Sequence, residues 1–165
     1  MGVGSEFWKF RRDMPEFSSS VILGCAVVTL RSFLVQPGNL PRISDPDLQL
    51  EILSAPPVVQ TGDRIEFRIM AFGFRQRAAH IYQSVSEFEI VEHQIEGPLR
   101  VWQHRQILTR MDEDRTRLMD EVTFEPPGGM LGFMLTEARI RESLEKSMLL
   151  RYQILHDLIT AGGLC

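Results

Sequence analysis

Between residues 49 and 124 the chain is a succession of short segments in which polar and apolar residues alternate, separated by turns. Residues 64–69 (RIEFRI) show the pattern most clearly. Alternation of this kind is typical of a strand that buries one face and exposes the other. Links this short join antiparallel neighbours. The sequence therefore predicts an antiparallel meander of six strands, at residues 49–54, 64–69, 75–85, 87–95, 100–109 and 116–124.

Apolar residues at helical spacing occur both before and after this meander in the sequence. After a predicted first strand at 17–22, the apolar residues of 25–35 recur at helical intervals, and 40–43 are interpreted as a second short helix. From 131 to 159 apolar residues recur every three or four positions, as in an amphipathic helix. A helix of that length covers roughly 40 Å, enough to cross a whole sheet.

A sheet with one apolar face must cover that face, and only the C-terminal helix is long enough to do so. We therefore predict an α+β fold. In it a curved, seven-stranded antiparallel sheet wraps around the long C-terminal helix, with two short helices after the first strand. Because such a sheet cannot close completely around one helix, we expect a cavity for an apolar guest between them.

The composition fits one globular domain. The 165 residues are 44% hydrophobic and 24% charged, which is average for such a domain. We expect a single ligand-binding domain at 16–165, preceded by an N-terminal arm at 1–15. The arm (MGVGSEFWKFRRDMP) has two interpretations: a loosely docked terminus, or a basic and aromatic patch that grips an anionic surface.

Charge and motif content exclude several functional classes. The net charge is −4, so nucleic acid is a poor default partner. No apolar run is long enough to span a bilayer and no signal-peptide pattern is present, so we expect a cytoplasmic protein without an integral membrane segment. The histidines at 80, 93, 104 and 156 lack metal-ligand spacing, and no nucleotide-binding motif occurs. We therefore expect neither a metal nor another cofactor.

Four motifs carry a resemblance to a known superfamily. They are Phe88-x-x-Val91-Glu92-x-Gln94-x-x-Gly97-Pro98-x-x-x-Trp102-x-His104, Thr116-x-Leu118-x-Asp120-x-Val122, Pro127-x-Gly129-x-Leu131-Gly132 and Leu144-x-x-x-Met148-x-x-Arg151. Over about residues 17–160 the chain resembles the helix-grip fold of the START and Bet v 1-like (SRPBCC) superfamily, in its bacterial polyketide-cyclase-like and coenzyme Q-binding-like branch. The resemblance implies a protein that holds a hydrophobic guest, since the superfamily contains lipid carriers, hormone receptors and a few cyclases.

Alternation along the strands brings several polar residues to the cavity side. Asp120 shares a strand face with apolar residues and is therefore expected to point inward. The turns place Glu92 beside His104 and Gln94 beside Trp102 on adjacent strands. The turn between the last two strands places Asp120 near Gln106 and diagonal to His104.

Arg151 falls in the middle of the apolar face of the C-terminal helix. A guanidinium there requires a carboxylate partner, for which Asp120 or Glu92 is the natural candidate. Three interpretations of these residues remain open. They form a structural polar network, or they orient the polar group of a ligand, or His104, Asp120 and Glu92 move protons in catalysis.

From these observations we expect a protein that binds a hydrophobic small molecule or lipid, as carrier, sensor or sequestering protein. The candidate ligand-binding residues are Trp102, His104, Gln94, Asp120, Arg151, Phe67, Ile69, Phe88, Leu118, Val122, Leu144 and Met148. One alternative is an enzyme of the polyketide cyclase or dehydratase type, working without metal or nucleotide. Another is a protein-interaction module whose cavity is filled by its own side chains. Leu149 and Leu135, on the polar face of the long helix, mark a surface for a homodimer.

Overall fold

The computed structural model describes residues 14–164. All of the expected N-terminal arm except Met14 and Pro15 lies outside this range. Within it the chain forms β1 (Glu16–Leu23), α1 (Val27–Leu34), α2 (Leu40–Ile43), β2 (Glu51–Ser54), β3 (Arg64–Ala71), β4 (Phe74–Val85), β5 (Glu89–Glu96), β6 (Val101–Arg110), β7 (Thr116–Glu125), α3 (Gly129–Met134) and α4 (Glu137–Thr160). Two 3-10 turns, Pro37–Asn39 and Pro46–Leu48, flank α2.

The seven strands form one antiparallel sheet in the order β1-β7-β6-β5-β4-β3-β2. Strands β2 to β7 pair with their sequence neighbours, as short connections require. The first strand instead lies at the far edge, against β7. The predicted α+β architecture is confirmed: an open seven-stranded antiparallel sheet, two short helices after the first strand and a long C-terminal helix.

Local sequence explains the hairpin between β3 and β4. Its two turn residues, Phe72 and Gly73, both have positive φ, at 56° and 82°. Two successive residues with positive φ match the right-handed twist of the strands that they join. Glycine adopts this conformation without strain, whereas Phe72 does so as a bulky residue. The turn therefore holds an aromatic side chain at the end of the β3–β4 ribbon.

Helix α4 presents one apolar stripe to the sheet. Its buried residues Ile140, Leu144, Met148 and Leu155 follow the expected spacing of three and four. They join the strands in one hydrophobic core. No helix among residues 14–164 is both long and apolar enough to cross a membrane.

The sequence predicted one helix from 131 to 159, but the structure has two helices there, α3 and α4, so the prediction of a single helix is wrong. Helix α3 ends at Met134, and α4 begins at Glu137 after an extended residue, Thr136. The Thr136 hydroxyl accepts a hydrogen bond from the Arg139 backbone N–H at 3.4 Å, the role of an N-cap. Leu135 is buried in the break, which leaves it unavailable to a partner chain.

Candidate functional site

A cavity of about 230 Å³ lies between the sheet and α4. Its walls are the inward faces of β3 to β6, the middle of α4 and the segment that connects α2 to β2. Most of the wall is apolar, as in Ile65, Phe67 and Ile69 on β3 and Leu144 and Met148 on α4. The geometry is the one expected when an open sheet packs on a single helix.

Eight of the twelve candidate ligand-binding residues line this cavity. They are Trp102, His104, Gln94, Arg151, Phe67, Ile69, Leu144 and Met148. Period-two alternation on the strands and the three-to-four spacing on α4 bring these residues to the same space. Their contact with a ligand stays a prediction.

The other four candidates lie elsewhere. Leu118 and Val122 are buried in the hydrophobic core and do not line the cavity. Asp120 is completely buried behind the cavity wall. Phe88 precedes β5 instead of belonging to it, and its side chain is 43% exposed. None of these four candidate ligand-binding residues lines the cavity.

Glu92 joins two histidines on neighbouring strands. Its Oε2 lies 3.1 Å from His80 Nδ1, and its Oε1 lies 3.3 Å from His104 Nδ1. The register explains the contacts, because Glu92 pairs with His104 across β5 and β6. Burial by itself would raise the pKa of Glu92, but the hydrogen bonds from His104 and His80 outweigh burial and hold that pKa well below its usual range. Glu92 is thus a buried carboxylate that stays ionised.

His104 bridges two carboxylates. Its Nε2 lies 2.6 Å from Asp120 Oδ1, while its Nδ1 faces Glu92. A neutral imidazole has one N–H, so two nitrogens that both donate to carboxylates require the imidazolium form. Burial by itself would lower the pKa of His104, but the hydrogen bonds to Asp120 and Glu92 outweigh burial and raise that pKa to about 9. His104 is therefore a buried cation at neutral pH.

Asp120 also contacts Tyr152 and Arg151 on α4. The Tyr152 hydroxyl donates to its Oδ2 at 2.8 Å, and Arg151 Nη2 lies 3.9 Å from its Oδ1. Burial by itself would raise the pKa of Asp120, but the charge of Arg151 and the hydrogen bond from His104 outweigh burial and lower it. Asp120 thus stays ionised and ties β7 to β6 and to α4.

Arg151 has the carboxylate partner that the sequence predicted, because its Nη2 forms an ion pair with Asp120 Oδ1 at 3.9 Å. Its hydrogen bond runs from Nη2 to the amide oxygen Oε1 of Gln106, at 2.6 Å, while Asp120 is too distant for a hydrogen bond. Its Nε is buried without a hydrogen-bond partner among the described residues. The residue is 8% exposed and lines the cavity.

Comparisons with known proteins support this architecture. No protein-family model matches the sequence, and no curated protein matches it either. A START superfamily protein from Mycobacterium smegmatis superposes with a TM-score of 0.70 at 11% identity, covering 88% of this chain and 97% of that one. The chain has the helix-grip fold of the START and Bet v 1-like superfamily.

Two further similar structures are an aromatase/cyclase and a di-domain ARO/CYC protein. The Zhui aromatase/cyclase from Streptomyces sp. R1128 has a TM-score of 0.63 at 16% identity, covering 91% of this chain and 93% of that one. The di-domain ARO/CYC StfQ from the steffimycin biosynthetic pathway has a TM-score of 0.69 at 17% identity, covering 92% of this chain and 53% of that one. Likeness at this level of identity concerns the fold, so function must be argued from the site.

Three polar residues that contact Glu92, Arg151 or Asp120 in the buried cluster were not among the predicted site residues: His80, Gln106 and Tyr152. Two of them carry signals in the sequence. His80 shares an inward face of β4 with Ala78 and Tyr82 at a spacing of two, and Tyr152 follows Met148 by one helical turn. Gln106 was expected near Asp120, but nothing in the sequence distinguishes it as the partner of Arg151.

Proposed function

We propose that this protein binds a hydrophobic small molecule or lipid in the cavity between the sheet and α4, as a carrier, sensor or sequestering protein. The observation that supports the proposal is a mostly apolar cavity of about 230 Å³ that the protein's own side chains leave unfilled. Removing apolar surface from water contributes about 25 cal/mol per Å², so such a guest can be captured without chemistry.

The cavity volume sets the size of the guest. An engineered apolar cavity of about 150 Å³ holds one benzene molecule. The present cavity, at about 230 Å³, is larger by half. A guest with two fused rings, or a short chain of similar volume, matches this space.

The guest has a route to the cavity from solvent. Phe72 in the β3–β4 turn and Ser143 on α4 both line the cavity and are both exposed. The cavity wall therefore reaches the surface between this turn and the first half of α4. A binding role requires such a route.

The alternatives receive less support. A protein-interaction module would have a cavity filled by its own side chains, whereas this cavity keeps a free volume of about 230 Å³. Proton transfer by His104 is disfavoured because both of its nitrogens already face carboxylates, so neither is available as a base. Cytoplasmic location stays a prediction.

The test is native mass spectrometry of gently purified protein, with solvent extraction of whatever is released, followed by titration with naphthalene. Ser147 lines the cavity from α4, whereas Glu145 is exposed on the same helix and does not line it. We expect the wild type and Glu145→Phe to bind naphthalene. We expect Ser147→Phe, whose ring occupies the cavity, to bind at least tenfold more weakly. Equal binding by the two variants, or no binding by the wild type, contradicts the proposal.

A further inference from the structure

Arg151 is a buried cation with unused hydrogen-bond donors. A guanidinium carries five N–H groups. Its hydrogen bond to Gln106 Oε1 uses one of them, and its Nε has no partner among the described residues. Buried donors without acceptors are unfavourable, and native proteins rarely keep them without a function. The residue therefore has spare capacity to bind an oxygen atom.

The position of Arg151 determines where that oxygen comes from. Arg151 lines the cavity beside Met148 and Leu144, opposite His80 and His104 on the sheet. An acceptor on a guest in the cavity would reach a guanidinium that is already fixed through Gln106. A fixed donor loses little conformational freedom on binding, which favours its use in recognition.

The charges around Arg151 determine what kind of oxygen fits. Two carboxylates, Glu92 and Asp120, face two cations, His104 and Arg151, so the buried charges balance. A carboxylate on the guest would add an unmatched buried charge, whereas an uncharged oxygen would not.

We propose that Arg151 donates a hydrogen bond to the carbonyl oxygen of an uncharged and otherwise apolar guest. This inference rests on the proposed function, because it names the chemistry of the guest in the same cavity. In this arrangement Arg151 recognises the oxygen of the guest, and the apolar walls supply most of the binding free energy.

The first test varies the ligand and leaves the protein intact. 2-Acetylnaphthalene and 2-isopropenylnaphthalene have nearly the same shape, but only the first carries a carbonyl oxygen. We expect calorimetric titration to show that the ketone binds about tenfold or more tightly than the hydrocarbon, the size of effect typical of a hydrogen bond to a charged donor. 2-Naphthoate, which is anionic, is expected to bind more weakly than the ketone.

The second test removes the donor. Arg151→Met keeps apolar volume at the wall, and Arg110→Met, at the exposed end of β6, is the matched control. We expect Arg151→Met to lose the preference for the ketone while its affinity for the hydrocarbon stays the same, and Arg110→Met to behave as wild type. If Arg151→Met does not fold, the ligand series on the wild type decides alone.

The outcomes separate this inference from the proposed function. Equal affinity of the wild type for ketone and hydrocarbon overturns the role of Arg151 and leaves the cavity as a binding site. Tighter binding of 2-naphthoate than of the ketone overturns the assignment of an uncharged guest. If neither the ketone nor the hydrocarbon binds, the proposed function is overturned and this inference with it.

Discussion

His104 is the central residue of the buried cluster, because it carries the positive charge that two carboxylates share. Glu92 and Asp120 face its two nitrogens from opposite sides. Removing either carboxylate would leave the imidazolium with an unbalanced buried charge. The cluster thus fixes the relative positions of three adjacent strands, and it couples their stability to pH.

The pH dependence of the free energy of unfolding follows from the shifted pKa values of His104, Glu92 and Asp120. The pKa of His104 rises from 6.5 to about 9 on folding. Because the folded state favours protonated His104, this residue adds to the free energy of unfolding. The contribution is complete below pH 6.5 and is lost as the pH rises through about 9. Glu92 and Asp120 have lowered pKa values, so their contribution is present above their ordinary pKa values of 4.5 and 3.8 and is lost as the pH falls below them.

We therefore expect the free energy of unfolding of the wild type to fall by roughly 3 kcal/mol between pH 6.5 and pH 9, since each pKa unit corresponds to about 1.4 kcal/mol. Urea denaturation across this range measures it. His104→Gln lacks the titrating group, so its stability should change little over the same range. A flat wild-type curve would show that His104 is not a buried imidazolium.

The partners of His104 and the ion-pair partner of Arg151 were predictable from the sequence, but the hydrogen-bond partner of Arg151 was not. Alternation and short turns determine the register, which correctly placed Glu92 opposite His104 and Asp120 opposite Gln106. The rotation of α4 above the sheet depends on packing along its whole length. It brings Arg151 Nη2 to 2.6 Å from the Gln106 amide oxygen and leaves it 3.9 Å from Asp120 Oδ1, so the hydrogen bond goes to the amide and the carboxylate is held only as an ion pair.

Among the elements, the segment that connects α2 to β2 forms one wall of the cavity and is tied to α4 by two ion pairs of the exposed Lys146, one with the exposed Asp47 and one with the buried Asp45. Lys146 Nζ lies 2.9 Å from Asp47 Oδ2 and 3.3 Å from Asp45 Oδ2. Asp45 itself lines the cavity. Exposed ion pairs contribute little to global stability, yet they hold neighbouring elements together locally.

We expect Lys146→Met to lower the free energy of unfolding by about 1 kcal/mol or more, because the exposed pair with Asp47 contributes little but the buried Asp45 carboxylate loses its cation. We also expect it to release bound naphthalene several-fold faster, because the wall at Asp45 loses its attachment to α4. Stopped-flow fluorescence measures the release rate. Arg115→Met, which breaks the exposed ion pair with Asp112 in the turn between β6 and β7, is the control. Unchanged release from Lys146→Met would show that this wall does not limit guest exit.

The division between α3 and α4 illustrates why helix boundaries are hard to read from periodicity. Apolar residues continue through Leu135, so spacing alone extends the helix across the break. The competing signal is Thr136, whose side chain caps the first turn of α4. A cap of this kind outweighs periodicity once Leu135 finds a buried position of its own.

For the molecule as a whole, association stays a prediction that now depends on Leu149. This residue is 63% exposed on α4, whereas Leu135, the second expected contact, is buried. If α4 packs against a second copy, Leu149→Glu should shift the mass towards the monomer, because a buried charge would be unpaired. Size-exclusion chromatography with light scattering measures this. A wild type that is monomeric at high concentration contradicts the homodimer.

The pairing of the first strand with the last has a consequence for how the molecule is made. Glu16 on β1 pairs with Thr123 on β7, about a hundred residues later. At roughly 5 to 20 residues per second, β1 waits on the order of 5 to 20 s on the ribosome before its partner is synthesised. Helix α4 follows later still. The cavity therefore closes only after α4 has been synthesised, and until then a nascent chain exposes the apolar walls of the cavity.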